Sequence, residues 1–384
     1  MKKIVITPDS FKGTMNSSEI CDIAENAIKR LNPGIETVKI PVADGGEGTV
    51  EAFLKAVGGY MINLRVKGPL MDEIDSFYGI LDDGVTAVIE MAAASGLPLI
   101  EDRKDPVRAS TYGTGQLILD ALNKGCKKII IGVGGSATND GGIGMAAALG
   151  VRFLDSKGNE VELNGRGLGN IEYIDISGKD KRIDSVQVLA ACDVDNPLYG
   201  PNGAAFIYAP QKGADEETVR FLDNNLRHYA QVVERDLGIN IGNMPGGGAA
   251  GGLGAALAVF AGARLKPGIN IMLDTVNFQE IIKDADFIIT GEGKIDGQSL
   301  RGKVPIGIAQ EAKKAGVPVI VVAGDVGDDI EKVYESGISA VFSINRLAIP
   351  FEKARLRSKT DYEKTIESII RFALTIEKGL HKQT

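Results

Sequence analysis

The stretch that most constrains this chain is Lys127 to Leu149, KKIIIGVGGSATNDGGIGMAAAL, which runs through strand, glycine-rich loop and helix without interruption. The β-branched run from Ile129 to Ile131 suits a buried strand. Gly132, Gly134 and Gly135 free the backbone, and residues 143 to 149 return to helix-forming types. Loops of this kind expose backbone N–H groups. Aimed by a following helix N-terminus, those donors attract an anion without any charged side chain. A plainer reading competes with this one: Asn139 or Asp140 caps the helix, and the glycines only permit close packing.

The rest of the chain supplies a frame for that loop. Lys3 to Ile6 reads as a first strand, and Asn16 with Glu19 can cap a helix carrying Ile20, Ile23, Ala27, Ile28 and Leu31 on one face. Thr37 to Pro41 reads as a second strand running into ADGGEGT, and the helix from Val50 to Ala56 is stopped by Gly58 and Gly59. This βαβα opening argues for a parallel sheet whose ligands collect beyond the carboxyl ends of the strands. From Tyr60 to Met91 the pattern changes to short alternating apolar runs, as in antiparallel strands. A helix follows from Ser110 to Asn123, then the organising stretch, then a strand from Val186 to Ala191 that ends in CDVDNPLYG. Next comes the apolar segment MPGGGAAGGLGAALAVFAGA, which reads as a buried helix. From Ala285 the first rhythm returns, with strands over residues 287–290, 317–323 and 340–343, a helix from Val304 to Lys314 and a final helix from Asp361 to Lys378. The expected architecture is therefore α/β in two domains. Residues 1–67 and 285–384 form a discontinuous parallel-sheet domain, and residues 68–284 form an inserted mixed α/β domain that carries the glycine-rich loops.

At 384 residues the chain is too long for a single core, which agrees with two domains. A net charge of -8 argues against a nucleic-acid partner, since that needs a basic face. The three cysteines are odd in number, widely spaced and without a CxxC pair, so neither a disulfide framework nor a zinc site is indicated. The apolar run at the start is too short for a signal peptide, and the apolar helix near Leu253 to Leu265 is shorter than a membrane span. A cytoplasmic protein with no membrane partner is expected.

Two nucleotide signatures come close and miss. Residues 142–147 match GxGxxA but lie inside the helix start rather than directly after the strand. Residues 297–303 match GxxxxGK, yet Val304 stands where a magnesium-binding Ser or Thr belongs. With His228 and His381 the only histidines, proton-transfer work passes to carboxylates. Asp9, Asp44, Glu47, Asp140, Asp193, Asp195, Glu292 and Asp296 all lie beside glycines or at predicted strand ends. Phosphoryl transfer needs hard oxygen ligands for a cation, donors to hold developing charge, and a carboxylate to orient or deprotonate the acceptor hydroxyl. These loops supply each class, with Lys12 and Lys294 as cations.

The segments PDSFKGT, PVADGGEGT, GVGGSATNDGG, ACDVDNPLYG, APQKGA, PGGGAAGGLG and TGEGKIDGQ, in that order, resemble the bacterial glycerate kinase family that phosphorylates D-glycerate with ATP. The resemblance covers residues 1 to roughly 375. It implies two α/β domains, one with a flavodoxin-like parallel sheet, an active cleft between them, Mg²⁺-ATP as donor and 2-phosphoglycerate as product, with 3-phosphoglycerate left open. Lys294 stands where Arg is more often expected. On this reading Gly134, Gly135, Ser136 and Asn139 hold the ATP phosphates, with Gly291 and Gly293 as further cofactor contacts. Ser10, Lys12, Asp44 and Gly45 meet the substrate. Asp193, Lys12, Lys294 and Glu292 are the catalytic candidates, and Asp195, Asp140 and Asp296 the metal candidates. The loop from Gly132 to Leu149 has no Lys or Arg, so lysines from the first and last thirds are expected to reach it across the domain boundary. Two alternatives remain: an NAD(P)-dependent dehydrogenase of a small hydroxy acid using the GxGxxA segment, and a non-catalytic nucleotide-binding protein. Homo-oligomer formation is left open.

Overall fold

The structure is a computed structural model that describes residues 1–11, 13–43, 45–300 and 303–380. In chain order its strands are β1 (Lys3–Ile6), β2 (Glu36–Lys39), β3 (Gly59–Lys67), β4 (Glu73–Leu81), β5 (Thr86–Glu90), β6 (Lys128–Gly132), β7 (Arg152–Leu154), β8 (Tyr173–Asp175), β9 (Gln187–Ala191), β10 (Arg264–Lys266), β11 (Phe287–Ile295), β12 (Val319–Val326) and β13 (Ile338–Ser343). The chain divides into two compact units. One comprises Met1–Asp44, Lys55–Val57 and Ile269–Thr384, and the other Gly45–Leu54 and Gly58–Gly268.

The first unit is built on a five-stranded sheet in the order β13-β12-β11-β1-β2, parallel throughout. Counted within the unit this is the order 2-1-3-4-5 of flavodoxin-like folds, whose direction of winding reverses between β1 and β11. The helix Ser17–Leu31 starts from the expected capping box: Asn16 Oδ1 accepts the Glu19 N–H at 2.8 Å and Glu19 returns an oxygen to the Asn16 N–H at 3.1 Å. Its buried face of Ile20, Ala24, Ala27 and Ile28 shares one core with Ile4, Ile6 and Ile289 of the sheet. Tyr362, Ile366 and Ile370 of the last helix, Ser358–Leu380, complete that core. One strand runs further than its sequence suggests. β11 continues past Thr290 to Ile295, paired with β12 as far as Ile295↔Val326, so the GEGKI residues lie within the strand rather than after it. The β-branched signal stops at Thr290, but Gly291 allows the close approach. A Cβ there would stand 2.1 Å from the Val322 carbonyl oxygen.

The second unit carries a mixed six-stranded sheet, β10-β9-β6-β5-β4-β3. β5, β6, β9 and β10 are parallel, and β4 and β3 add the antiparallel ribbon that the alternation from Tyr60 predicts. The strand Gly59–Lys67, assigned from sequence to the first segment, pairs along its whole length with β4, from Gly59↔Leu81 to Lys67↔Glu73. The apolar helix Ala249–Ala261 is buried as expected, but its first turn is not helical. Ala250, Gly251 and Gly252 have φ of 53°, 71° and 101°. No helix among the described residues is long and apolar enough to cross a membrane.

Candidate active site

In the second unit, polar loops gather at the carboxyl ends of the parallel strands. β6 and β9 finish side by side at Gly132 and Ala191, and the organising loop leaves from there. The ADGGEGT segment lies against it: Gly45, at φ +84°, accepts the Gly134 N–H on its carbonyl at 3.1 Å. A Cβ on Gly132 would stand 2.4 Å from that same carbonyl oxygen, and one on Gly134 would stand 2.7 Å from the Gly46 Cα. Glu90, buried at the end of β5, accepts the Val50 N–H at 2.7 Å and so fixes the far end of the segment; burial raises its pKa. Gly132→Ala is therefore expected to lower stability by about 1–3 kcal/mol, the usual cost of overpacking. An unchanged urea midpoint would mean that this contact does not require a glycine.

The other side of the loop is pressed by the kinked start of the apolar helix. Gly141 donates its N–H to the Gly251 carbonyl at 2.9 Å, and Thr138 Oγ1 donates to the Ala250 carbonyl at 3.3 Å. Held on both sides, the loop reaches solvent at Gly134 and Gly135, and the Gly135 N–H has no acceptor among the described residues. Behind this tip Asp140 is fully buried. Its Oδ2 accepts the Thr111 N–H at 2.8 Å, the Thr111 hydroxyl at 2.7 Å and the Gly144 N–H at 3.3 Å, while Oδ1 accepts the Gly142 N–H at 3.0 Å. Burial pushes its pKa up against those donors.

Two expectations change here. The helix after the loop, Ile143–Ala148, is only six residues long, and its leading N–H groups are spent on Asp140 and on Thr111 Oγ1 rather than aimed at an anion. Asp140, expected to hold a cation, has its oxygens engaged by four donors, as an internal brace of the loop. The capping alternative describes it better. Asn139, expected at the phosphates, is buried with neither amide atom partnered among the described residues, an exception that asks for a ligand or water.

The loop's cation comes from a place the sequence did not single out. Lys212 ends the short turn Pro210–Lys212 and is 1% exposed. Its Nζ donates to Ser136 Oγ at 2.7 Å and to the Thr138 carbonyl at 2.6 Å. Burial pushes its pKa down to about 7, opposed by the field of Asp140. The lysine was present in the APQKGA segment, but a lysine in a Pro-Gln-Lys-Gly turn reads as solvated, and only the fold returns it to the loop. At the end of β9, Asp193 and Asp195 are exposed, and Asp193 Oδ1 accepts the Gly268 N–H at 2.8 Å.

In the first unit the polar groups stand beyond the carboxyl end of β1 and along the last residues of β11, at the switch point where ligands collect in such sheets. Glu292 is 6% exposed; its Oε1 accepts from Ser299 Oγ at 2.9 Å and its Oε2 faces Lys303 Nζ at 3.4 Å. Burial raises its pKa and Lys303 holds that rise back. Lys294 is exposed between Asp296 at 3.6 Å and Asp325 at 3.9 Å. Ser10, partly buried, donates its N–H to Asp9 Oδ1 at 2.6 Å. Gly291 serves strand packing, and the Gly293 carbonyl packs on Gly324, where a Cβ would stand 2.5 Å from its oxygen. Lys12 and Asp44 lie outside the described residues.

A profile of the Glycerate kinase family matches residues 4–374. The chain belongs to the glycerate kinase family. Among its relatives, the glycerate kinase of Halalkalibacterium halodurans is 47% identical over 370 residues, covering 96% of this chain and 97% of that one. The glycerate 2-kinase of Escherichia coli is 50% identical over 343 residues, covering 89% and 90%. The crystal structure of a protein assigned as glycerate kinase 2 from Salmonella typhimurium LT2 superposes with a TM-score of 0.88 at 43% identity, covering 98% of this chain and 99% of that one. Membership of the glycerate kinase family displaces the dehydrogenase and non-catalytic readings, and makes the braced loop and the Glu292 cluster parts of a phosphotransferase.

Proposed function

We propose that the chain transfers the γ-phosphoryl group of ATP, with Mg²⁺, to the 2-hydroxyl of D-glycerate, giving 2-phosphoglycerate. The observation that carries the phosphate assignment is the Gly134–Gly135 tip, clamped on both sides and backed by the buried ammonium of Lys212. At that tip the Gly135 N–H is a donor already held in place for phosphate. The position of transfer is supported by the Escherichia coli relative, which is a glycerate 2-kinase. Gly134, Gly135, Ser136 and Asn139 hold phosphate. Glu292 is the base that orients or deprotonates the acceptor hydroxyl: it is buried at a switch point, and its raised pKa brings it nearer the working pH. Lys294, together with Lys12, meets the glycerate carboxylate or the group in flight.

Magnesium in phosphotransferases keeps several waters and is held by one or two carboxylates plus the nucleotide's own phosphates. Asp195, exposed at the end of β9 on the same sheet edge as the loop, is the carboxylate for it, with Asp296 the second candidate. The ion would neutralise charge on the transferring oxygens. The three cysteines are free and buried, which suits a reducing cytoplasmic setting. Phosphorus NMR of a reaction containing ATP, Mg²⁺ and D-glycerate tests the reading directly. Growth of a 2-phosphoglycerate resonance is expected; a 3-phosphoglycerate resonance would overturn the regiochemistry, and neither product would overturn the activity.

A further inference from the structure

Lys212 occupies a position that ordinary packing does not require. An ammonium group buried to 1% exposure costs far more than a methionine of similar volume, unless its charge is used. Its two hydrogen bonds go to the phosphate loop itself, to Ser136 Oγ at 2.7 Å and the Thr138 carbonyl at 2.6 Å. Among the described residues, few charged groups face it. Asp140 faces it from within the loop, while Lys104, whose backbone packs on Gly213, turns its Nζ away to Glu101 at 2.7 Å.

We propose that Lys212 is a positioning residue for nucleotide phosphate, holding Ser136 from behind so that its hydroxyl hydrogen is free for the anion, and countering the anion's charge through the loop. The inference rests on the phosphate-loop reading above. Its chemistry follows from donor counting. A charged lysine has three hydrogens and no lone pair, so it can only donate to Ser136 Oγ, and the serine hydrogen must turn elsewhere. A neutral lysine has a lone pair and can accept that hydrogen, which withdraws it from the loop surface. With the ammonium pushed down to about 7 by burial, both forms are present near neutral pH. An arriving phosphate favours the charged form, so binding draws one proton from solvent onto Lys212 Nζ and releases the serine hydrogen toward the ligand.

Calorimetric titration of ADP into the enzyme at pH 8, in buffers of different ionisation enthalpy, measures that proton. The wild type is expected to take up about half to one proton per ADP, and Lys212→Met close to none. Steady-state kinetics give a second readout. Lys212→Met is expected to raise the ATP KM about 10- to 100-fold with a smaller change in kcat, and Lys212→Arg, permanently charged, to recover most of that KM without proton uptake. Absence of uptake by the wild type overturns the proposal without any variant, and so does a Met variant with wild-type uptake or wild-type ATP KM. If the wild type neither binds ADP nor consumes ATP with glycerate, the phosphate-loop reading itself has failed; if it does both and the lysine variants are silent, only the role of Lys212 has.

Discussion

Asp140→Ala is expected to lower the stability of the chain by about 3–5 kcal/mol, the range for stripping one partner from a buried charged network. The reason is a count of donors. Four of them converge on this carboxylate, from Thr111 N–H and Oγ and from the Gly142 and Gly144 N–H groups, and all are too deep for water to replace the lost oxygens. Asp140→Asn should cost less, about 1–3 kcal/mol, because an amide oxygen placed at Oδ2 keeps three of the four bonds while its NH₂ opposes the Gly142 N–H. Urea denaturation of the two variants measures both values. A shift under 1 kcal/mol for the alanine variant would defeat the brace reading. Intact stability with weakened Mg²⁺ affinity would instead restore Asp140 as a metal ligand.

Glu292→Gln is expected to reduce kcat about 10²- to 10⁴-fold with little change in either KM, the signature of losing a group that acts on a proton in the transition state. The pH profile adds a signed test. Burial raises this carboxyl above its ordinary 4.5, and a base works only when ionised, so activity should fall on the acid side below that raised pKa. Lys303, 3.4 Å away, lowers the same pKa. Lys303→Met should therefore move the acid limb to higher pH. A glutamine variant within fivefold of wild-type kcat, or a limb that moves to lower pH in the lysine variant, would remove Glu292 as the base.

Both expectations turn on neighbours that no local pattern announces. Asp140 sits in SATNDGG, where a turn former, a cap and a cation ligand share one spelling; its partner Thr111 lies 29 residues earlier. Glu292 was visible as an acid beside glycines, yet its burial follows from β11 running on to Ile295 and from Ser299 and Lys303 folding back onto it. Lys212 was hidden for the same kind of reason. It contacts Ser136 across 76 residues of sequence, and lysine is rarely placed in a core by composition alone.

The residues alone specify the local periods and their order. Continuous β-branched runs became the parallel strands, the alternating runs after Tyr60 became the antiparallel ribbon, and 3.6-period faces became the helices around Ile20 and Ile366. The chain of glycine-rich motifs placed it in its family. These follow from short-range sterics and from which face of each element must leave water. The tertiary structure alone decided how charge is distributed at the loop. Whether a buried carboxylate or ammonium can exist depends on donors and counter-charges brought within about 3 Å by segments far apart in the chain. In the stretch from Lys127 to Leu149 the glycines were legible as glycines. That Gly132 makes room for the Gly45 carbonyl, and that the Lys212 amine reaches Ser136, are facts of packing.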